Sequence, residues 1–172
     1  QVSDEAVSFS LQVGGVTIQK VYRTDPDHYL MRLSVSLRND TGRILSPKFA
    51  TQWPAAVREG KDFEEQSLVA LHRGEIEREL VAGVGVPGFF SDLFGNADSE
   101  GVVRMPGGIE WAGVDMKYFL GVLLPDRTGS ANARFEPLKP GASAMTVVDF
   151  DPISLPSGQG IQNEYRVYLG PK

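Results

Sequence analysis

Hydrophobic and polar residues alternate with a period of two along most of this 172-residue chain, the spacing that sends successive side chains to opposite faces of a β-strand. Val7, Phe9, Leu11 and Val13 alternate with Ser8, Ser10 and Gln12. Gly14-Gly15 supplies a two-residue turn able to take positive φ, and Val16, Ile18 and Tyr22 share one face of the return strand. Asp25-Pro26-Asp27 marks the next turn, with Pro pre-setting its φ. In the third segment Tyr29, Met31, Leu33, Val35 and Leu37 face one way, and Arg32, Ser34, Ser36 and Arg38 face the other. The pattern predicts an antiparallel meander that covers a core with one side.

Asn39-Asp40-Thr41-Gly42 closes that meander, and residues 46–63, which hold Trp53-Pro54, read as a long connection. Residues 66–72 and 75–81 predict a second hairpin around Arg73-Gly74. The glycine-rich stretch 82–108 reads as a loop, in which Phe89, Phe90, Leu93 and Phe94 can share one side of a single helical turn. The run from Lys117 to Leu124 is apolar on both faces and predicts a central strand covered on two sides. Residues 130–136 and 143–150 predict two strands joined through Pro137-Leu138-Lys139-Pro140-Gly141, and Ile161 to Leu169 predicts the last. About nine or ten short strands with few short helices give an all-β, antiparallel, sandwich-type fold, read as one domain over residues 1–172. Such folds host many activities, so the pattern leaves function open.

The net charge of −5 argues against a nucleic-acid partner, which needs clustered Lys and Arg to displace phosphate counterions. It argues equally against adhesion to an anionic membrane through charge alone. The chain has no cysteine, which removes disulfides, thiolate nucleophiles and Cys-ligated zinc. The longest strongly apolar run, Tyr118 to Leu124, is far shorter than the roughly 20 residues that cross a bilayer. The chain opens on Gln1 without a signal peptide, as expected of a domain cut from a larger protein whose anchor lies elsewhere.

Candidate chemistry is thin. A nucleophile–base pair needs a His, and only His28, at a turn, and His72, at a hairpin tip, are available; both read as solvated. Two histidines without cysteines also make a poor zinc site. Asp149 and Asp151 share a face only if their strand continues, and Pro152 favours a turn cap over a carboxylate pair. Glu64-Glu65 and the alternation Glu75, Glu77, Glu79 read as solvated faces. Asp92 to Glu100 lacks the ligand order of a calcium loop, and Gly83 to Gly88 lacks an N–H at Pro87 where a phosphate cradle wants one. No catalytic residue, metal site or cofactor is therefore assigned. Phe89, Phe90, Leu93 and Phe94 either cap an open end of the core or form a partner-binding patch.

Four stretches in order resemble the periplasmic domain of the bacterial membrane insertase YidC. The segment from Val7 to Leu11 with Gly15 to Tyr22 is similar to the family's GG hairpin. His28 to Val35 followed by Asn39-Asp40-Thr41-Gly42 resembles its strand and N-x-(S/T)-G turn. Glu110 to Leu120 with Leu123-Leu124-Pro125 is similar to its Trp-containing core strand, and Tyr165 to Lys172 to its Tyr-x-Gly-Pro-Lys ending. The resemblance implies a β-supersandwich related to galactose mutarotase-like proteins. It implies a periplasmic place at the inner membrane, in a parent that inserts membrane proteins alone or with the Sec translocon. Its partners would then be Sec translocon components and nascent membrane proteins, met by a non-catalytic accessory domain. The related fold also raises an alternative, a carbohydrate-binding, mutarotase-like domain.

Overall fold

The computed structural model describes residues 6–25, 28–56, 66–86, 101–127 and 130–172. Twelve strands are found among them: β1 (Ala6–Val13), β2 (Val16–Thr24), β3 (Leu30–Asn39), β4 (Ala50–Ala56), β5 (Ser67–His72), β6 (Glu75–Leu80), β7 (Val103–Met105), β8 (Ile109–Asp115), β9 (Phe119–Pro125), β10 (Ala131–Lys139), β11 (Ser143–Phe150) and β12 (Gly160–Pro171). An eight-stranded sheet runs β1-β2-β3-β12-β9-β8-β5-β6, and a four-stranded sheet runs β4-β11-β10-β7. Every strand pair is antiparallel. The all-β, antiparallel, sandwich-type fold expected from the alternation is the fold observed. No α-helix occurs among the described residues.

The register reproduces the predicted faces. Val7, Phe9, Leu11 and Val13 lie opposite Tyr22, Lys20, Ile18 and Val16, and these continue onto Leu33, Val35 and Leu37 of β3. Arg73 takes the left-handed conformation, with φ of 53°, in the turn joining β5 to β6. β9 lies inside the large sheet with Val122 and Leu123 buried on its two faces, as its two-sided apolar character requires.

Three elements differ from expectation. The stretch read as a connection over 46–63 contains β4, an edge strand of the small sheet with Pro54 opposite Met145. An edge position tolerates the missing N–H of proline, which is why Trp53-Pro54 does not break the strand. The three-residue β7 lies within the predicted 82–108 loop and pairs with β10. Lys117-Tyr118 is a turn between β8 and β9, closed by the Met116 N–H donating to the Phe119 carbonyl at 2.9 Å.

The core forms where the two sheets face each other. The large sheet contributes Leu33, Leu68, Ala70, Ala112, Val114, Leu123, Tyr165 and Val167, and the small sheet Ala55, Met105, Ala133, Phe135, Ala144 and Val148. Burial raises the pKa of the Tyr165 phenol, an effect opposed by its hydrogen bond with Thr51. Thr146 Oγ1 on β11 donates to the Gly113 carbonyl on β8 at 2.8 Å, so a buried hydroxyl is satisfied across the sheets. Gly121 on β9 lies under Trp53, whose Cζ2 atom would be 2.8 Å from a β-carbon there.

Asn39 locks the end of β3 to the loop before β12. It is fully buried, and its amide donates to the carbonyls of Arg43 and Leu155, each at 2.8 Å. Its Oδ1 accepts from the Thr41 N–H and hydroxyl at 3.1 and 2.7 Å. The N-x-(S/T)-G turn is thus a structural knot rather than a reactive motif. Asn39→Ala removes all four bonds from a fully buried position, so it is expected to cost roughly 2–4 kcal/mol. Chemical denaturation should show a lowered midpoint at unchanged slope.

Candidate functional site

The two histidines belong to different places. His28 lies at the β2–β3 turn, where its exposed Nδ1 sits 3.2 Å from Asp25 Oδ2. His72 ends β5 opposite Glu75. Between β3 and β5 stand β12, β9 and β8, which separates the two histidines by about 20 Å at ordinary strand spacing. They cannot act on one bond. His72 is half-buried rather than solvated, and its Nε2 is shielded without a hydrogen-bond partner among the described residues. The physical reason is the strand register: the end of β5 is flanked by both β6 and β8.

The buried carboxylates are neutralised by cations. Asp149 on β11 is paired with Arg134 of β10 and, at 3.4 Å, with Lys48, while Arg134 also holds Glu136. Asn132 donates to Asp149 and Asp151 at 3.3 and 3.2 Å, so the two aspartates share one amide at the strand end. Asp115, which the sequence did not single out, is buried at the end of β8. Arg78 of β6 approaches it at 2.6 Å, and the Lys172 ammonium pairs with its other oxygen. Each of these two buried carboxylates is thus engaged by two cations.

Glu75, Glu77 and Glu79 share a face of β6, as their spacing predicts, but that face is not fully solvated. They lie opposite His72, Ala70 and Leu68, on the side of the sheet that carries the core, and Glu77 and Glu79 are half-buried. Burial, reinforced by the neighbouring Glu77 charge, raises the pKa of Glu79 above its ordinary value. The folded chain therefore holds this proton more tightly than the unfolded chain, and the associated stability is lost as pH rises through the raised value. Among the described residues no three His, Asp or Glu side chains cluster as metal ligands.

Phe89, Phe90, Leu93 and Phe94 lie outside the described residues, as do Glu64-Glu65, all of Asp92 to Glu100 and the Pro87-Gly88 end of the glycine-rich stretch. A different apolar group is exposed on the described surface, at the end of β12, where Tyr29, Tyr118, Phe119 and Leu169 lie at neighbouring strand ends. Alternation alone does not reveal it, because these residues come from three separate strand ends. Glu79→Gln is expected to raise the thermal midpoint at pH 7, and the gain should shrink as pH falls to where glutamate is protonated in both states. Thermal melts of both chains across that pH range check this.

A family model for the YidC periplasmic domain matches residues 2–172. The chain is 25% identical over 161 residues to the membrane protein insertase YidC of Maricaulis maris, covering 92% of this chain and 25% of that protein. It is 26% identical over 172 residues to the membrane protein insertase YidC of Anaeromyxobacter dehalogenans, covering 97% of this chain and 28% of that protein. The chain thus spans about a quarter of the length of these relatives. Among solved structures, a galactose mutarotase-like protein from Lactobacillus casei superposes with a TM-score of 0.64 at 14% identity, over 98% of this chain and 71% of its own. That likeness concerns the supersandwich fold alone. No described helix is long and apolar enough to cross a membrane. With the family matched from one end of the chain to the other, this protein belongs to the YidC periplasmic domain family, whose place is the periplasmic face of the bacterial inner membrane.

Proposed function

We propose that the chain is a non-catalytic accessory domain of a membrane protein insertase, a rigid β scaffold that contacts Sec translocon components or emerging segments of nascent membrane proteins. One observation carries the scaffold reading. β12, the longest strand, lies in the interior of the large sheet between β3 and β9, and its end is tied down on both sides. The Lys172 N–H donates to the Tyr118 carbonyl at 3.2 Å, and the Lys172 ammonium pairs with the buried Asp115. A domain whose interior strand is held in this way on both sides presents its surfaces in a fixed arrangement. The two histidines, by contrast, stand about 20 Å apart at ordinary strand spacing, and Asp115 and Asp149 are each held by cations. Phe89, Phe90, Leu93 and Phe94 are the proposed contact patch, since large apolar side chains in a small-residue loop are the usual anchors of an interface.

The experiment is deletion of this domain from its parent insertase, with substrate insertion scored by protease protection. Insertion of most substrates is expected to persist, with the defect confined to a subset. Serine at Phe89, Phe90, Leu93 and Phe94 should reproduce that defect. Loss of insertion for every substrate would sink the accessory role.

The sugar-binding alternative makes an opposite prediction. Trp53 lies against Gly121 where the two sheets meet, and Trp111 lies on β8, so a ligand seated between or beside the sheets would perturb indole emission. Titration with galactose and glucose, followed through Trp53 and Trp111 fluorescence, is expected to show no saturable change.

A further inference from the structure

Three arginines stand side by side on the face of the large sheet turned away from the small one. Arg23 of β2 is directly opposite Arg32 of β3, and Arg32 is directly opposite Arg166 of β12. All three are exposed, and none forms an ion pair or hydrogen bond among the described residues. Like charges in cross-strand register destabilise a sheet, so nothing in the stability of the fold calls for this row. It also runs against a chain whose net charge is −5. The row spans about 10 Å at ordinary strand spacing and borders a groove of about 520 Å³. Asp126 and Glu164 line the same groove, but Glu164 accepts a hydrogen bond from Gln162 and neither acid pairs with a guanidinium.

Two residues further along the same face, Leu30 lies opposite Tyr168. Phe119 and Leu169, in register with Pro171 and Gly121, lie on the opposite side of the sheet, but beside Tyr168 stands Tyr29, 62% exposed, and in the β8–β9 turn Tyr118, 61% exposed. Their positions are set by backbone bonds: Leu169 N–H to the Tyr29 carbonyl at 2.9 Å, and Lys172 N–H to the Tyr118 carbonyl at 3.2 Å. Tyr29 packs edge-on against Tyr168, whose hydroxyl donates to the Pro171 carbonyl at 2.6 Å. The Lys117 ammonium lies 5.0 Å from the Tyr118 ring centre. A rim of this composition exposes apolar area that a protein normally buries.

From this placement we infer that the arginine row and the adjoining rim form one surface that seats the domain on a bilayer containing anionic phospholipid. Tyr and flanking Lys are side chains that settle at a membrane–water boundary, with the ring body in the apolar layer and the polar tip in water. Arginine forks match phosphate oxygens in geometry as well as charge. The charge complementarity selects lipid headgroups over an apolar protein groove, and the rim supplies the apolar contact that charge alone would lack. The inference goes beyond the accessory role and does not depend on a translocon contact.

The test is flotation of the 172-residue chain with vesicles of phosphatidylcholine alone and with vesicles containing phosphatidylglycerol. The chain is expected to float with the anionic vesicles and not with the neutral ones. Each basic side chain near an anionic surface contributes roughly fivefold in partition, so Arg23→Ser, Arg32→Ser and Arg166→Ser together should lower it by up to about 100-fold. The same triple variant should unfold at an equal or higher denaturant midpoint, because repulsion is removed. Tyr29→Ser with Tyr118→Ser should also reduce flotation, whereas Arg43→Ser, at the opposite strand ends, should not. Three results would overturn the inference: flotation indifferent to lipid charge, no flotation with either vesicle, or a triple variant that floats like the parent. Calorimetry with pyrophosphate separates a soluble source: pyrophosphate binding lost in the triple variant, without vesicle binding, would assign the row to a free phosphate compound and overturn the bilayer reading.

Discussion

Two sheets of unequal size can share one apolar layer only if the strands at their meeting point come close, and here β8 and β9 make room by carrying glycine. A β-carbon at Gly113 would collide with the Gly121 carbonyl and the Val122 backbone on the neighbouring strand, neither of which can yield. A β-carbon at Gly121 would press on the Trp53 ring from the other sheet. With no side chain at Gly121 the Trp53 ring comes against β9, and the Thr146 hydroxyl bonds the Gly113 carbonyl on the neighbouring strand. The alanines at 55, 112, 133 and 144 line the same apolar layer together with the larger Phe135 and Tyr165. Close packing of this kind leaves little tolerance for a change of even one methylene.

The same constraint shapes the polar groups. A cleft that could hold a substrate between the sheets would have to open where apolar side chains now interdigitate. Charged residues are displaced to the outer faces and ends, where Asp115 and Asp149 are buried only because cations accompany them. Their role is to tie distant parts of the chain together: Asp115 links the edge strand β6 to the last residue, and Asp149 links β10 and β11 to the segment preceding β4. The fold is shared with galactose mutarotase-like proteins, but fold and chemistry are separable, since function resides in the particular side chains placed on a scaffold.

The legible parts of the chain are those where one face of a strand is buried and the other is wet. β3, β10 and β12 fall into this class and lie close to where alternation puts them. β1 and β11 also lie close to it, although Phe9, Leu11 and Val13 of β1 are exposed and both faces of β11 are buried. β4 was not legible because an edge strand with a proline carries the composition of a loop. The turn at Lys117-Tyr118 was hidden for the opposite reason, since apolar residues continue through it and only the Met116–Phe119 hydrogen bond reverses the chain. Glu79 shows the limit of reading faces: the period places Glu75, Glu77 and Glu79 together, yet it takes the position of β6 at the sheet edge to show that their side faces partly inward.

Sequence alone determined the strand alternation, the all-β class and the family, because each depends on residue type and local spacing. The tertiary structure decided which strands became neighbours. It joined β12 to β3 and β9, brought Lys172 to Asp115, set Arg23, Arg32 and Arg166 in one line and gathered Tyr29 and Tyr118 at one rim. Those residues lie up to 143 positions apart in the chain, and no local period carries information over such a distance. Only the hydrogen-bond register between strands converts it into a shared surface.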